Sequence, residues 1–199
     1  MKVFIASAAN LDIDKKYMNA ARDVSEVFAK NNFDLLFGAG YYSMMGECYK
    51  VFSKYKRKIY AYTVAKWVSD FKRIPKAKCV KTNDTLLRFR KMYFRADIIL
   101  ILPGGIGTLA EFVSAVEEYR ASGGNKRIIL FNYDGYYDGL IKWMKDNINT
   151  GFFIDDLSDS YEIVSSVEEL NNIVENYKRN TNISKKFKWI LKGEINYGK

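Results

Sequence analysis

The chain has 199 residues, 48% of them apolar, a formal net charge of +9, two cysteines and no histidine. That length and composition suit one packed domain and exclude a disordered chain, and no apolar run approaches the roughly 18 residues that a membrane-spanning helix needs. The lack of histidine removes Ser-His-Asp and Cys-His triads, His-ligated zinc and a His general base, so acid–base work falls to Asp, Glu, Lys or Tyr.

The N-terminal run Met1-Lys2-Val3-Phe4-Ile5 soon meets Asp12 and Asp14 with no cleavage-type segment. It reads as a first strand rather than a signal peptide, and a cytoplasmic protein is expected. Short apolar runs then alternate with helical periods, the pattern of βαβ units. Strands are predicted at residues 3–8, 33–37, 58–62, 98–102 and 127–131, with weaker candidates at 78–81 and 161–164. Helices are predicted at 14–31, 44–55, 84–96, 108–122, 136–149 and 167–177. In the first helix Tyr17, Ala20, Ala21, Val24, Val27 and Phe28 share one face, a core stripe. The uninterrupted run Ile98 to Leu102 suits a central strand covered on both faces. The fold class is therefore α/β: a single Rossmann-like domain, a parallel sheet sandwiched by helices, over residues 1–177. Residues 178–199 form a basic tail with seven Lys or Arg and one Glu, six of the nine net charges. The tail reads as a solvated appendage rather than a nucleic-acid site, with Phe187, Trp189 and Ile190 available for partial docking. Cys48 and Cys79 have no metal-ligand spacing and read as ordinary semi-buried thiols.

Ligands of such sheets bind beyond the C-terminal strand ends. Three segments fall there: Ser7-Ala8-Ala9-Asn10, Gly38-Ala39-Gly40 and Pro103-Gly104-Gly105-Ile106-Gly107-Thr108. The third follows the most apolar strand and opens a helix, so its N–H groups and the helix N-terminus can hold a 5′-phosphate without metal. It lacks the Gly-Lys-Ser/Thr of a Walker loop. It matches G-x-G-x-x-A of dinucleotide sites, but after about the fifth strand instead of the first. A plain helix-capping turn is the remaining alternative. Glu111 completes Thr108-x-x-Glu111, a capping box, and can also be a base or cation stabiliser; its place in the first helical turn favours the charged form. On the preceding helix Arg88, Met92 and Arg95 share a face that can aim a guanidinium at the loop, or be simply solvated. Asp97 is placed to orient one of the arginines.

With these residues in hand, the sequence resembles the Lonely Guy family of nucleotide phosphoribohydrolases, whose members often carry the label lysine decarboxylase. The P-G-G-x-G-T-x-x-E signature is complete from Pro103 to Glu111, and upstream the family's arginine, methionine and aspartate fall on Arg88, Met92 and Asp97. Gly38–Gly46 corresponds to a G-G-G-x-x-G-L-M-G loop, and Asn132 to Tyr137 and Gly151-Phe152-Phe153 match further segments. The resemblance covers about residues 1–177. It implies a Rossmann-like dimer that releases base and ribose 5-phosphate from a nucleoside 5′-monophosphate, of AMP or cytokinin-nucleotide type, with Arg88 and Glu111 catalytic. Gly104, Gly105, Ile106, Gly107, Thr108, Ser7, Gly38, Gly40 and Met92 are the expected binding residues. No metal or other cofactor is implied, and no nucleic-acid or membrane partner is expected. Departures cluster at the base end: Ala39 and Ser43 replace glycines, Ala110 and Phe89 replace a Glu and a Lys, and Glu117-Glu118 stand for a Thr-Trp pair. A two-residue gap would instead put Arg90-Lys91 on the Arg-Lys pair. The changed base end leaves a second expectation, a carrier or sensor of a nucleotide or of a molybdenum-type cofactor on the same fold.

Overall fold

The computed structural model describes residues 1–122, 124, 126–152 and 157–180. Residues 181–199, with Phe187, Trp189 and Ile190, and Phe153 lie outside the described residues. Among the described residues seven strands form one sheet in which every pair is parallel. They are β1 (Lys2–Ala6), β2 (Asp34–Phe37), β3 (Ile59–Val64), β4 (Lys78–Thr82), β5 (Ile98–Ile101), β6 (Arg127–Phe131) and β7 (Glu162–Val164), in the spatial order β4-β3-β2-β1-β5-β6-β7. Among the described residues the α-helices that connect or flank them are α1 (Lys15–Lys30), α2 (Ser43–Lys54), α3 (Thr85–Arg95), α4 (Ile106–Ser122), α5 (Asp138–Asn147) and α6 (Val167–Asn180). The expected Rossmann-like α/β sandwich is the observed one.

The side-chain alternation of each central strand builds two cores. Val3 and Ile5, Ile98 and Leu100, and Ile129 and Phe131 point to one face, where they meet Val24 and Phe28 of α1, Phe52 of α2 and Val174 of α6. Phe4, Ile99, Ile101, Ile128 and Leu130 point to the other, against Phe89 and Met92 of α3, Phe112 of α4 and Ile141 of α5. Each fully buried side chain of this size contributes about 1.5–3 kcal/mol. Local signals fix the helix starts: the Asp14 carboxylate accepts from Lys16 N–H at 3.0 Å, and that of Asp84 from Leu87 N–H at 2.7 Å, each capping an otherwise orphaned donor.

Several expectations are corrected. Helix α4 opens at Ile106, not Thr108, so Thr108 is the third helical residue and cannot be the N-cap that a capping box with Glu111 requires. Helix α5 opens at Asp138 after a 3-10 turn at Tyr133–Gly135. Cys48 is buried, but Cys79 is exposed, because it lies on edge strand β4. A 3-10 segment at Ala65–Arg73, absent from the sequence reading, bridges β3 and β4.

The order of strands reverses direction between β1 and β5, and there the loops that leave their C-terminal ends diverge to opposite faces. That opens the crevice in which open α/β sheets bind ligands.

Candidate active site

A cavity of about 420 Å³ occupies this crevice. Ser7 to Asn10 enter it from the end of β1, Gly38 and Gly40 from the end of β2, and Gly105 to Thr108 from α4. Arg88 of α3 and Glu111 of α4 close it from within. Four separate segments of sequence thus converge because their strands are neighbours in the sheet.

The α4 end is an anion site in form. The first turn of a helix has N–H groups without intrahelical partners and carries partial positive charge; here those residues are Ile106, Gly107 and Thr108, all on the cavity wall. A Cβ added at Gly105 or Gly107 would meet nothing within 4 Å, so both leave open space where a ligand can approach the backbone. Gly104 has a different reason to be glycine: its Cβ would lie 2.2 Å from Thr108 Oγ1, so the chain could not fold back on the buried Thr108. The loop is braced from β6. Tyr137 donates its hydroxyl to the Leu102 carbonyl at 2.8 Å and Tyr136 to that of Gly104 at 2.9 Å. Asn132 holds this brace, accepting from Tyr137 N–H and donating to Asp138, both at 2.7 Å.

Glu111 is 7% exposed and receives a hydrogen bond from Arg88 Nη2 at 3.2 Å. Burial pushes its carboxyl up to about 7, against the pull of the Arg88 guanidinium toward lower values. The expected preference for the charged form is therefore corrected: with the helix opening at Ile106, Glu111 is beyond the first turn, where the dipole has faded, and desolvation wins. Among the described residues Arg88 Nε is buried without a hydrogen-bond partner, a donor that a ligand can use.

Ser7, Gly38, Gly40, Gly105, Ile106, Gly107, Thr108, Arg88 and Glu111 all line the cavity. Gly104 lines an adjoining hollow instead, with Tyr17 and Tyr136. Met92 does not reach the site. It is fully buried in the core shared by α3 and α4, one turn beyond Arg88. Among the described residues Asp97 pairs with no arginine: its carboxylate accepts from Lys2 N–H at 2.7 Å. Arg95 turns away to the Tyr62 hydroxyl at 2.5 Å. Two wall residues escaped the sequence reading, Trp67 and Asp70 of the 3-10 segment. The Trp67 ring lies 5.7 Å from the Arg88 guanidinium carbon.

The glycine replacements of the second loop have a conformational consequence. Ala39 has φ 68° and Ser43 has φ 54°, left-handed values that cost a residue with a Cβ roughly 1–2 kcal/mol. The backbone thus has a glycine-like conformation at two positions occupied by Ala and Ser. Gly46 remains, since its Cβ would sit 1.9 Å from the Tyr41 carbonyl oxygen. Among the described residues no group of three or more His, Cys, Asp or Glu could hold a metal ion.

The family model described as possible lysine decarboxylase matches residues 45–175, and the chain belongs to that family. It is 25% identical over 189 residues to a cytokinin riboside 5′-monophosphate phosphoribohydrolase of Arabidopsis thaliana, covering 94% of this chain and 88% of that protein. It is 25% identical over 179 residues to a protein of Oryza sativa subsp. japonica named as a probable enzyme of the same activity, covering 88% and 72%. Among solved structures it is similar to TM1055, at TM-score 0.64 and 20% identity over 88% of this chain and 99% of that one. It is also similar to the molybdenum-cofactor carrier protein of Chlamydomonas reinhardtii, at 0.62 and 14% over 90% and 99%. These structures share the fold.

Proposed function

We propose that this member of the possible lysine decarboxylase family hydrolyses the N-glycosidic bond of a nucleoside 5′-monophosphate, giving free base and ribose 5-phosphate. The observation that carries the reading is the Arg88–Glu111 pair, buried in the same cavity as the open N-terminus of α4. The 5′-phosphate sits on the N–H groups of Ile106 to Thr108. Glu111, little more than one turn along α4, then faces the ribose. As the C1′–N bond breaks, the base leaves with its electron pair and takes a proton from solvent at the departing nitrogen, while positive charge grows on C1′. The ionised Glu111 stabilises that charge and takes a proton from the water whose oxygen joins C1′. Arg88 draws the Glu111 carboxyl back toward lower pKa against the burial that raises it to about 7, so the acid is ionised above that pH, and Arg88 offers its Nε to the ribose or to the departing base.

The relatives are named for cytokinin riboside 5′-monophosphates, so nucleotides of cytokinin or AMP type are the first substrates to test. The test is chromatography of the protein after incubation with a panel of nucleoside 5′-monophosphates. Free base and ribose 5-phosphate from the wild type, and none from Glu111→Gln, is the expected result. Intact nucleotides throughout would overturn the reading. Tight binding without product would then favour a nucleotide or cofactor carrier, for which the altered second loop and the carrier-type neighbours speak. A homodimer belongs to the same proposal: Leu86 and Phe94 on α3 and Val113 on α4 are exposed apolar residues that a second copy would cover, and sedimentation tests it. A cytoplasmic site of action and independence from cofactors complete the proposal. Among the described residues no helix is long and apolar enough to cross a membrane.

A further inference from the structure

The cavity has two ends. From β5, which carries the anion site, to β3, which leads into the Ala65–Arg73 segment, there are three inter-strand steps, about 14 Å at ~4.8 Å each. Between these ends Arg88 links Glu111, at 3.2 Å, to Trp67, whose ring centre lies 5.7 Å from the Arg88 guanidinium carbon. Asp70 belongs to the same short segment and lines the same cavity. A nucleotide laid with its phosphate on α4 and its ribose at Glu111 therefore puts its base against Trp67 and Asp70.

The segment is anchored. Ile74 is fully buried and Phe71 packs against the same core as Leu35 and Phe37. The Arg73 guanidinium carbon lies 5.1 Å from the Tyr42 ring centre. Trp67 lines the cavity and is 42% exposed, with the Arg88 guanidinium carbon 5.7 Å and Lys66 Nζ 5.8 Å from its ring centre, so its exposed surface is available to a stacked ring. Asp70 has no hydrogen-bond or ion-pair partner among the described residues. A carboxylate only accepts hydrogen bonds, and its two oxygens suit two parallel N–H donors. Guanine offers such a pair, N1–H beside the N2 amino group. Adenine and cytosine offer one amino group beside a ring-nitrogen lone pair, which would face the second oxygen unfavourably. The negative charge of Asp70 also discourages the phosphate from this end, which fixes the direction in which the nucleotide lies.

Resting on the phosphoribohydrolase reading for the placement of the phosphate and ribose, we infer that Trp67 and Asp70 form the base-recognition wall, and that the Asp70 carboxylate selects a guanine-type edge over an adenine-type one.

The test compares GMP, IMP and AMP with the wild type and Asp70→Asn, by kcat/KM and by calorimetric affinity. Ribose 5-phosphate reports on the phosphate end alone. The wild type should prefer GMP to AMP by at least about tenfold, with IMP between, since a site that hydrogen-bonds a polar edge rejects the analogue lacking it. Asp70→Asn, which offers both a donor and an acceptor, should erase or reverse that ratio, and Trp67→Ala should weaken all three. Wild-type preference for AMP, or a ratio that Asp70→Asn leaves unmoved, overturns the inference while the hydrolase reading stands. If no nucleotide is hydrolysed, the hydrolase reading fails separately and the calorimetric ratio decides: GMP preference lost in Asp70→Asn sustains the wall, and equal or absent binding overturns it.

Discussion

Two glycine-rich loops meet at this cavity, and they have fared differently. The loop between β5 and α4 keeps all three of its glycines, two facing open space and one pressed on Thr108. The loop between β2 and α2 has Ala39 and Ser43 where the resembled family motif has glycines, and both hold positive φ. An anion site made of backbone N–H groups works only if nothing fills the space before it, so there a Cβ is costly in function. In the second loop the Cβ is costly mainly in strain, which a well-packed domain can carry. In this chain glycine thus stands where a ligand needs room, and alanine and serine stand where only the backbone needs freedom.

The comparison is broken most directly at the chemistry the first loop serves. Glu111→Gln keeps the shape of the buried acid but can neither take a proton nor balance a growing cation. We expect kcat to fall by about 10³-fold or more, with nucleotide affinity changed little; single-turnover assays with a binding measurement check both. The same variant tests the burial of the charge. In the wild type the folded-state pKa, about 7, lies above the ordinary value of 4.5. The native state thus binds the proton more tightly than the unfolded chain. Its stabilising contribution is full below about pH 4.5 and lost as pH rises through about 7. Glu111→Gln should flatten that part of the stability-versus-pH curve, read by denaturant titrations across this window.

Arg88 sharpens the picture by acting on that proton. Wild-type kcat/KM should fall about tenfold per pH unit below about 7, where Glu111 becomes protonated. Arg88→Ala removes the nearby positive charge that draws the pKa down, so the acid limb should move to higher pH as well as lower the rate. An acid limb that stays in place would show that Glu111 is not the titrating group.

The loop glycines separate fold from function. Gly105→Ala adds a methyl with nothing within 4 Å of it, so melting should change by less than about 0.5 kcal/mol while KM rises about tenfold, roughly 1.4 kcal/mol of lost binding. Gly104→Ala drives its methyl into buried Thr108 and should cost about 1–3 kcal/mol of stability. Equal effects of the two on KM and melting would deny the distinction.

What the sequence made legible follows the same divide. Apolar runs and βα boundaries disclosed the sheet, because alternation and continuous apolar strands report burial directly. The phosphate loop was legible because its job is done by backbone, which leaves glycines behind. Met92 misled because helical spacing gives a face but not its depth: Arg88 reaches the crevice, while one turn on the same face lies under α4. Glu111 misled because a helix start two residues earlier carried it out of the first turn and into the interior. Trp67 and Asp70 had no signal at all, since a short 3-10 segment has neither glycine nor helical period, and only the return of the chain from β3 to β4 brings it over the cavity.

The smallest expected effect tests the other loop. Ala39 is buried, with its methyl in the core packed by α1 and α2, and its φ is 68°. Ala39→Gly removes a left-handed penalty of roughly 1–2 kcal/mol. It also frees the unfolded chain and loses one buried methyl, which together oppose most of that gain. The net change should lie within about 1 kcal/mol of zero, a shift of no more than about 2–4 °C in Tm for a chain of this size. Ser43→Gly should be the more stabilising of the two, because Ser43 is only half-buried and its hydroxyl has no hydrogen-bond partner, so little packing is lost with the side chain. If Ser43→Gly instead destabilises the protein more than Ala39→Gly does, strain is not what these replacements introduced, and the second loop was rebuilt for its side chains rather than in spite of them.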